Sequence, residues 1–301
     1  MSEPIERIRT VLKQEGSALA FVFGNGINRY ADNVNGSSWK DMLLEIYHQF
    51  TGKRLDTISE GISYTEFYNI LSLENGNVDT LRNAVVDYTR EHYTPKDYHR
   101  WLQVKLAYYN VPVLTTNFDT NLDDGYSRRK LIKLEGKRHG FTDLYPWNVY
   151  YGPNILHTPL DGFAIWHING VIDYRRSIKL GLSDYINQTA RARNFIHSND
   201  KIMEFDRKNR PHWNGSNTWL HIIFNSSLCF IGLELDTNET FLRWMLLERA
   251  RYFKNFSKRR HRGWYVTTKE VPAGKRFFLE STDIEIVTLK NYDEVYQGIF
   301  E

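Results

Sequence analysis

The segment ALAFVFGNGINRYADN, residues 18–33, decides the fold. Its first half is an unbroken apolar run, typical of a buried strand, and it ends at Gly24-Asn25-Gly26 before a polar, helix-compatible stretch. Strand, glycine turn and helix in this order begin dinucleotide-binding domains, but Arg29 stands where the third glycine of that fingerprint is expected. The fingerprint also needs an acidic residue at the end of a second strand, whereas Glu45 lies in a predicted helix. These two departures disfavour a dehydrogenase.

Five further apolar runs resemble the first and are predicted to be strands covered on both faces. They span residues 111–117, 162–170, 227–233, 263–268 and 283–289. Helical patterns separate them, among them 37–50, 78–93, 97–110 and 237–256, the last with Asp236 or Thr237 as its expected cap. We therefore predict an α/β fold, an open Rossmann-like, mostly parallel sheet with helices on both faces and no zinc ribbon. It forms a single domain over 1–301, with insertions at about 51–100 and 174–218.

Composition narrows the class of protein. The chain has 301 residues, of which 41% are hydrophobic and 25% charged, so a folded globular protein is expected. Its net charge of +3 gives no overall case for binding nucleic acid or a membrane surface. The single cysteine, Cys229, lies in an apolar run and is predicted to be a buried packing thiol. No apolar run approaches the roughly 20 residues that span a bilayer, and the N-terminal pattern is an amphipathic helix, so a cytoplasmic location is expected.

Polar side chains follow three of the predicted strands. They lie in TTNFD (115–119), in HING (167–170) and in IGLELD (231–236). Because ligands bind beyond the carboxyl ends of parallel strands, these residues are predicted to share a crevice with the glycine turn. Each has a plainer alternative. TTNFD and IGLELD could cap the helices that follow, and His167 could be a satisfied core histidine.

The sequence gives less support for a metal site, a catalytic serine or a nucleic-acid interface. The sequence contains no HExxH and no GxSxG pattern. The basic run at 254–264 could contact nucleic acid, but it also follows a long helix, where cations offset the helix dipole.

The four segments FGNGIN, TTNFD, HINGVID and FIGLELD, in this order, resemble the sirtuin fold family. The closer similarity is to the sirtuin-like, NAD-hydrolysing branch of bacterial anti-phage defence. The resemblance implies that NAD lies across these strand ends, with Asn117 positioning the water or the scissile ribose and His167 acting as general base. The other residues that it implies for NAD binding are Gly24, Asn25, Gly26 and Asn28 at the diphosphate, Thr116 and Asp119 near nicotinamide, Gly232 and Glu234 at the pocket border, and Asn291 near adenine.

Two departures from the family change the implied activity. Protein deacetylases of the family carry a four-cysteine zinc module and a GIPDFR segment, whereas this chain has one cysteine and reads RYADNVNGSSW. What remains is an NAD hydrolase that takes NAD as substrate, uses no metal, and releases nicotinamide with ADP-ribose or its cyclised form. The resemblance further implies antiviral defence in a bacterial cytoplasm, a homo-oligomer, and a separately encoded partner such as a HerA-type ring ATPase. A non-catalytic module that binds NAD or ADP-ribose, and a nucleic-acid processing subunit, are the alternatives.

Overall fold

The strands form one large sheet and one small one. The computed structural model describes residues 3–14, 18–32, 37–75, 77–123, 131–133, 147–198, 202–203 and 213–301. Within them, eight strands form a sheet in the order β10-β9-β8-β1-β2-β5-β4-β3, and β6 pairs with β7. The strands are β1 Leu19–Phe23, β2 Pro112–Thr115, β3 Leu131–Lys133, β4 Val149–Tyr151, β5 Ala164–His167, β6 His197–Ser198, β7 Ile202–Met203, β8 Ser227–Ile231, β9 Gly263–Thr267 and β10 Ile284–Thr288.

Six neighbouring strands, from β10 to β5, run parallel, which confirms the predicted fold class. When these six strands are numbered 1 to 6 in chain order, their order across the sheet from β5 to β10 is 3-2-1-4-5-6. This is the strand order of dinucleotide-binding folds. Successive strands are therefore added toward one edge of the sheet up to β5 and toward the other edge from β8 onward. The switch point lies between β1 and β8, where such folds bind their ligands. The antiparallel strands β4 and β3 were not predicted, since their apolar runs are short.

Helices cover the sheet and extend beyond it. They are α1 Glu3–Gln14, α2 Gly26–Ala31, α3 Trp39–Thr51, α4 Tyr64–Asn75, α5 Val78–His92, α6 Asp97–Tyr108, α7 Leu182–Ile196, α8 Leu220–Asn225, α9 Thr240–Asn255, α10 Ala273–Ser281 and α11 Tyr292–Tyr296. No helix in the described part of the chain is long and apolar enough to cross a membrane.

The apolar run of β1 is unbroken because both of its faces are buried. Ala20 and Val22 pack into one core beneath α8 and α9, while Phe21 and Phe23 pack into a second core on the opposite face. Successive strand side chains point to opposite faces, so a strand covered on both sides needs apolar residues throughout. Cys229 is fully buried in the second core, as predicted.

The stretch 51–100 contains α4, α5 and the start of α6, and α4 and α5 pack with α3 around a third apolar core. Leu43, Tyr68 and Val85 are central to it. The stretch 174–218 contains α7 and the small β6–β7 pair, and part of it lies outside the described residues.

The N-termini of α3 and α9 differ in their capping. Ser38 caps α3, since its hydroxyl accepts from the Asp41 N–H at 3.2 Å and its own N–H donates to the Asp41 carboxylate at 2.8 Å. The expected cap of α9 by Asp236 or Thr237 is wrong. The helix begins at Thr240, and Asp236 instead accepts the Asn238 N–H at 2.8 Å in the turn before it.

Candidate functional site

A cavity of about 600 Å³ opens at the carboxyl ends of β1, β2, β8 and β9. It lies at the switch point between β1 and β8, and its size suits a ligand as large as a dinucleotide. Its walls include the glycine turn, the TTNFD segment, the loops after β8 and β9, and residues of the helices α3, α4 and α11. Of the predicted site residues, those that line the cavity are Asn25, Gly26, Thr116, Asn117, Asp119, Gly232 and Glu234.

The glycine turn packs directly against the end of β8. The Gly24 N–H donates to the carbonyl of Ile231 at 3.1 Å, and the Gly26 N–H donates to the carbonyl of Gly232 at 2.8 Å. A Cβ atom at Gly24 would lie 2.5 Å from the Gly232 oxygen. Both glycines are therefore needed for two loops to touch, and their N–H groups are bonded to protein carbonyls.

Asn117 is held at the wall of the cavity by its neighbours on β1 and β2. Its side-chain amide donates to the Gly24 carbonyl at 3.3 Å, and its N–H donates to the Thr115 hydroxyl at 3.1 Å. Thr116 beside it donates its N–H to the Phe23 carbonyl at 3.0 Å, which extends the β1–β2 ladder. The Asn117 carboxamide thus has a fixed orientation just after the carboxyl end of β2.

A buried network of amides and one imidazole supports this wall. Asn28 donates to Asp119 at 2.8 Å and to the Asn25 side chain at 3.0 Å, and its own oxygen lies 2.9 Å from His99 Nε2. His99 Nδ1 accepts the Lys96 N–H at 3.0 Å, so Nε2 carries the proton and donates to Asn28. Burial lowers the pKa of His99 to about 4, so it is neutral at physiological pH. Asn28 therefore supports the cavity from behind and does not line it.

Asp119 is the one acidic residue of this network. Its second oxygen accepts the Asn121 N–H at 3.1 Å. Burial raises its pKa, and the hydrogen bond from Asn28 partly offsets that rise. The carboxyl group is thus held in place by two donors while it faces the cavity.

His167 does not line the cavity, unlike Asn117. Nδ1 lies 2.9 Å from the Asn117 carbonyl, and Nε2 lies 2.9 Å from a carboxylate oxygen of Asp123. Burial lowers the pKa of His167, but the Asp123 carboxylate and these hydrogen bonds outweigh it, so the pKa is raised. With acceptors at both nitrogens, the imidazole carries both protons and anchors the TTNFD segment.

Two other predicted residues have local partners. Glu234 lines the cavity, but its carboxylate lies 3.3 Å from Lys269 Nζ and 3.7 Å from Lys275 Nζ. Asn291 accepts the Glu294 N–H at 2.9 Å and so caps α11. The residues of that helix that line the cavity are Tyr292, Val295 and Tyr296, and Tyr296 stacks on Tyr30 with ring centroids 4.6 Å apart.

Arg29, which replaces the third glycine of the fingerprint, lines the cavity together with Lys40. Its Nε atom is buried and has no hydrogen-bond partner among the described residues. The sequence showed Arg29 only as a departure from a pattern. Its place in the first turns after Gly26 was the available signal that it would face the crevice.

Comparison with models of known protein families gives no match, and comparison with curated proteins gives none either.

Proposed function

We propose that the chain binds NAD in this cavity and hydrolyses the bond between nicotinamide and ribose, releasing nicotinamide and ADP-ribose. The observation that carries the proposal is the placement of Asn117. Its carboxamide is fixed at the β2 end of a dinucleotide-sized cavity, which Asp119 also lines, by a hydrogen bond to the glycine turn. Ligands of this fold class lie across that same point.

The chemistry needs groups of this kind. When the C1′–N bond breaks, its electron pair passes to the pyridinium nitrogen and the ribose gains oxocarbenium character. A fixed amide dipole stabilises charge that develops beside it, because it needs no reorganisation during the reaction. Asp119 accepts from the nicotinamide carboxamide, which holds the leaving group in orientation.

The remaining parts of NAD have matching partners. The diphosphate pairs with Arg29 and Lys40, since a guanidinium whose Nε has no hydrogen-bond partner among the described residues offers charge-assisted hydrogen bonds. The adenine stacks near Tyr292 and Tyr296, whose rings form part of the wall. In this proposal the N–H groups of Gly24 and Gly26 do not bind phosphate, because they are bonded to β8.

His167 acts indirectly in the proposed reaction. The imidazolium donates to the Asn117 carbonyl and so fixes the backbone from which the Asn117 carboxamide projects. It is a positioning residue here and not a base, because neither nitrogen has a lone pair to accept a proton.

The sirtuin-like resemblance is the basis for a proposed biological role of this reaction. We infer that NAD depletion serves antiviral defence in bacteria, that the chain acts as a homo-oligomer in the cytoplasm, and that a separately encoded ring ATPase controls it.

A second candidate is a module that binds NAD or ADP-ribose without cleaving it. The observation in its favour is that both nitrogens of His167 are engaged, which removes the base that the resemblance implies. Such a module would bind NAD and release no nicotinamide.

Nicotinamide release from NAD, followed by chromatography for the purified chain, tests the proposal. We expect Asn117→Ala to lower the rate by about 10²–10³-fold, the effect of losing one fixed dipole at a developing charge. The matched control is Asn187→Ala, at an exposed position of α7, which leaves the rate unchanged. NAD binding without turnover, at every pH and protein concentration, would establish the binding module instead.

A further inference from the structure

Glu239 is a carboxyl group in the cavity that the proposed function has not used. It precedes the first residue of α9, and its side chain lines the cavity. Its N–H donates to the Asp236 carbonyl at 3.2 Å, but its carboxyl group makes no capping hydrogen bond to that helix and no hydrogen bond or ion pair with another described residue. A carboxyl group with neither a partner nor a capping role is free to meet a ligand.

Glu239 and Asn117 line the same cavity. Asp236, in the turn before α9, and Tyr185, on α7, interact electrostatically with Glu239. One turn beyond Tyr185 on the same helix face, Gln188 donates to the Ile168 carbonyl at 2.9 Å, just after β5. The N–H of Ile168 in turn donates to the Thr115 carbonyl at 2.9 Å, two residues before Asn117.

The cavity thus contains carboxyl groups in contrasting environments. Glu234 is 64% exposed and paired with Lys269 and Lys275. Glu239 is partly buried and has no ion pair among the described residues, and burial, together with the like charge of Asp236, raises its pKa to about 8. A carboxyl group whose pKa is raised in this way is typical of sites that use it for proton transfer.

Asp119 and His167 are not available for proton transfer. Asp119 is held by Asn28 and Asn121 and is assigned to the nicotinamide carboxamide, and His167 carries both protons. Arg243, one turn into α9, does not neutralise Glu239, because its guanidinium bonds the Leu235 carbonyl at 3.0 Å and covers the Phe278 ring.

We propose that Glu239 is the proton acceptor for the water that attacks C1′ of the ribose, an inference that rests on the proposed NAD hydrolysis. The water oxygen forms a bond to C1′ as the C1′–N bond breaks, and the electron pair of that bond leaves with nicotinamide. One proton of the water passes to the Glu239 carboxylate, which returns it to solvent. A base with a pKa near the working pH is the most efficient, and such a group contributes about 10²–10⁴-fold in rate.

The test is the pH profile of nicotinamide release for the wild type and Glu239→Gln. The carboxylate is the active form, so the wild-type rate is expected to rise with pH through about 8 and then level off. Glu239→Gln is expected to lose about 10²–10⁴-fold at the plateau and to lose that rise. NAD affinity of the variant at pH 7 is expected to match the wild type, because glutamine imitates a protonated glutamate in shape.

Two further variants sharpen the result. Asp236→Asn removes the like charge and is expected to move the rise to lower pH, with Glu239 still present. Glu280→Gln, on the exposed face of α10, serves as the control and keeps the wild-type profile.

The outcomes distinguish the proposed role of Glu239 from the proposed NAD hydrolysis. Equal rates for Glu239→Gln and the wild type at all pH values would overturn the role of Glu239 and leave NAD hydrolysis standing. An absence of nicotinamide release from the wild type itself, with NAD still bound, would overturn both.

Discussion

Nε2 of His167 lies 2.9 Å from Oδ2 of Asp123, and both side chains are buried. The other ring nitrogen donates to the Asn117 carbonyl at 2.9 Å. The pair therefore ties the end of β5 to the segment that carries Asn117. Both ring nitrogens of the residue predicted to act as general base are therefore engaged with protein oxygen atoms.

This pair predicts how stability depends on pH. The pKa of His167 is raised in the folded state, so its contribution is complete below the unfolded pKa of 6.5 and is lost as pH rises through the folded value. His167→Gln should lower the free energy of unfolding by about 3–5 kcal/mol at pH 6, the cost of breaking a buried pair, and by less at pH 9. Urea unfolding at both pH values measures the difference.

The control is His99→Gln. His99 has a pKa of about 4 and is neutral throughout this range, so its cost should be the same at pH 6 and pH 9. A His167→Gln cost that also stayed constant would show that the imidazole is not protonated in the folded state.

Gly26 is predicted to tolerate no side chain. A Cβ atom there would lie 2.9 Å from the Gly232 oxygen and would collide with the Tyr296 hydroxyl. Gly26→Ala should therefore destabilise the chain by about 1–3 kcal/mol, as overpacking does. Gly274 has nothing within 4 Å of its Cβ position, and Gly274→Ala in α10 should stabilise by about 0.5–1 kcal/mol. Thermal unfolding of both variants compares them, and an equal response would refute the packing argument.

Arg29 is predicted to bind the diphosphate. Arg29→Ala should weaken ADP-ribose binding by about 10–100-fold, since a hydrogen bond to a charged group is worth about 1.5–3 kcal/mol. Adenosine, which has no phosphate, should lose almost nothing. Calorimetry with both ligands measures this, and the exposed Arg276→Ala is the control. Equal losses for adenosine and ADP-ribose would place Arg29 away from the phosphates.

Cys229 is predicted to be unreactive while the chain is folded. The side chain is fully buried, and burial raises the pKa of its thiol, so neither access nor thiolate is available. A disulfide reagent should modify it at the rate of global unfolding and immediately in denaturant. Rapid modification of the native chain would contradict its place in the core.

The sequence by itself determined the sheet. Residues 18–24 are apolar at every position and the five similar runs are mostly apolar, as buried strands require, so six parallel strands were predictable. The prediction that all six are covered on both faces is wrong for β10, an edge strand in which Glu285 and Thr288 are exposed. The sequence also determined that Asn117 and Gly26 would line one cavity, because the carboxyl ends of parallel strands share one edge.

Only the tertiary structure decided which polar side chains reach the cavity. His167 and Asn28 lie at the predicted edge, yet they turn to Asp123, Asp119 and His99, which are distant in sequence. The Nε atom of Arg29 and the carboxyl group of Glu239, by contrast, have no hydrogen-bond partner among the described residues, and both residues line the cavity. The direction of a polar side chain depends on the partners that satisfy its hydrogen bonds, and the packing of distant segments supplies those partners.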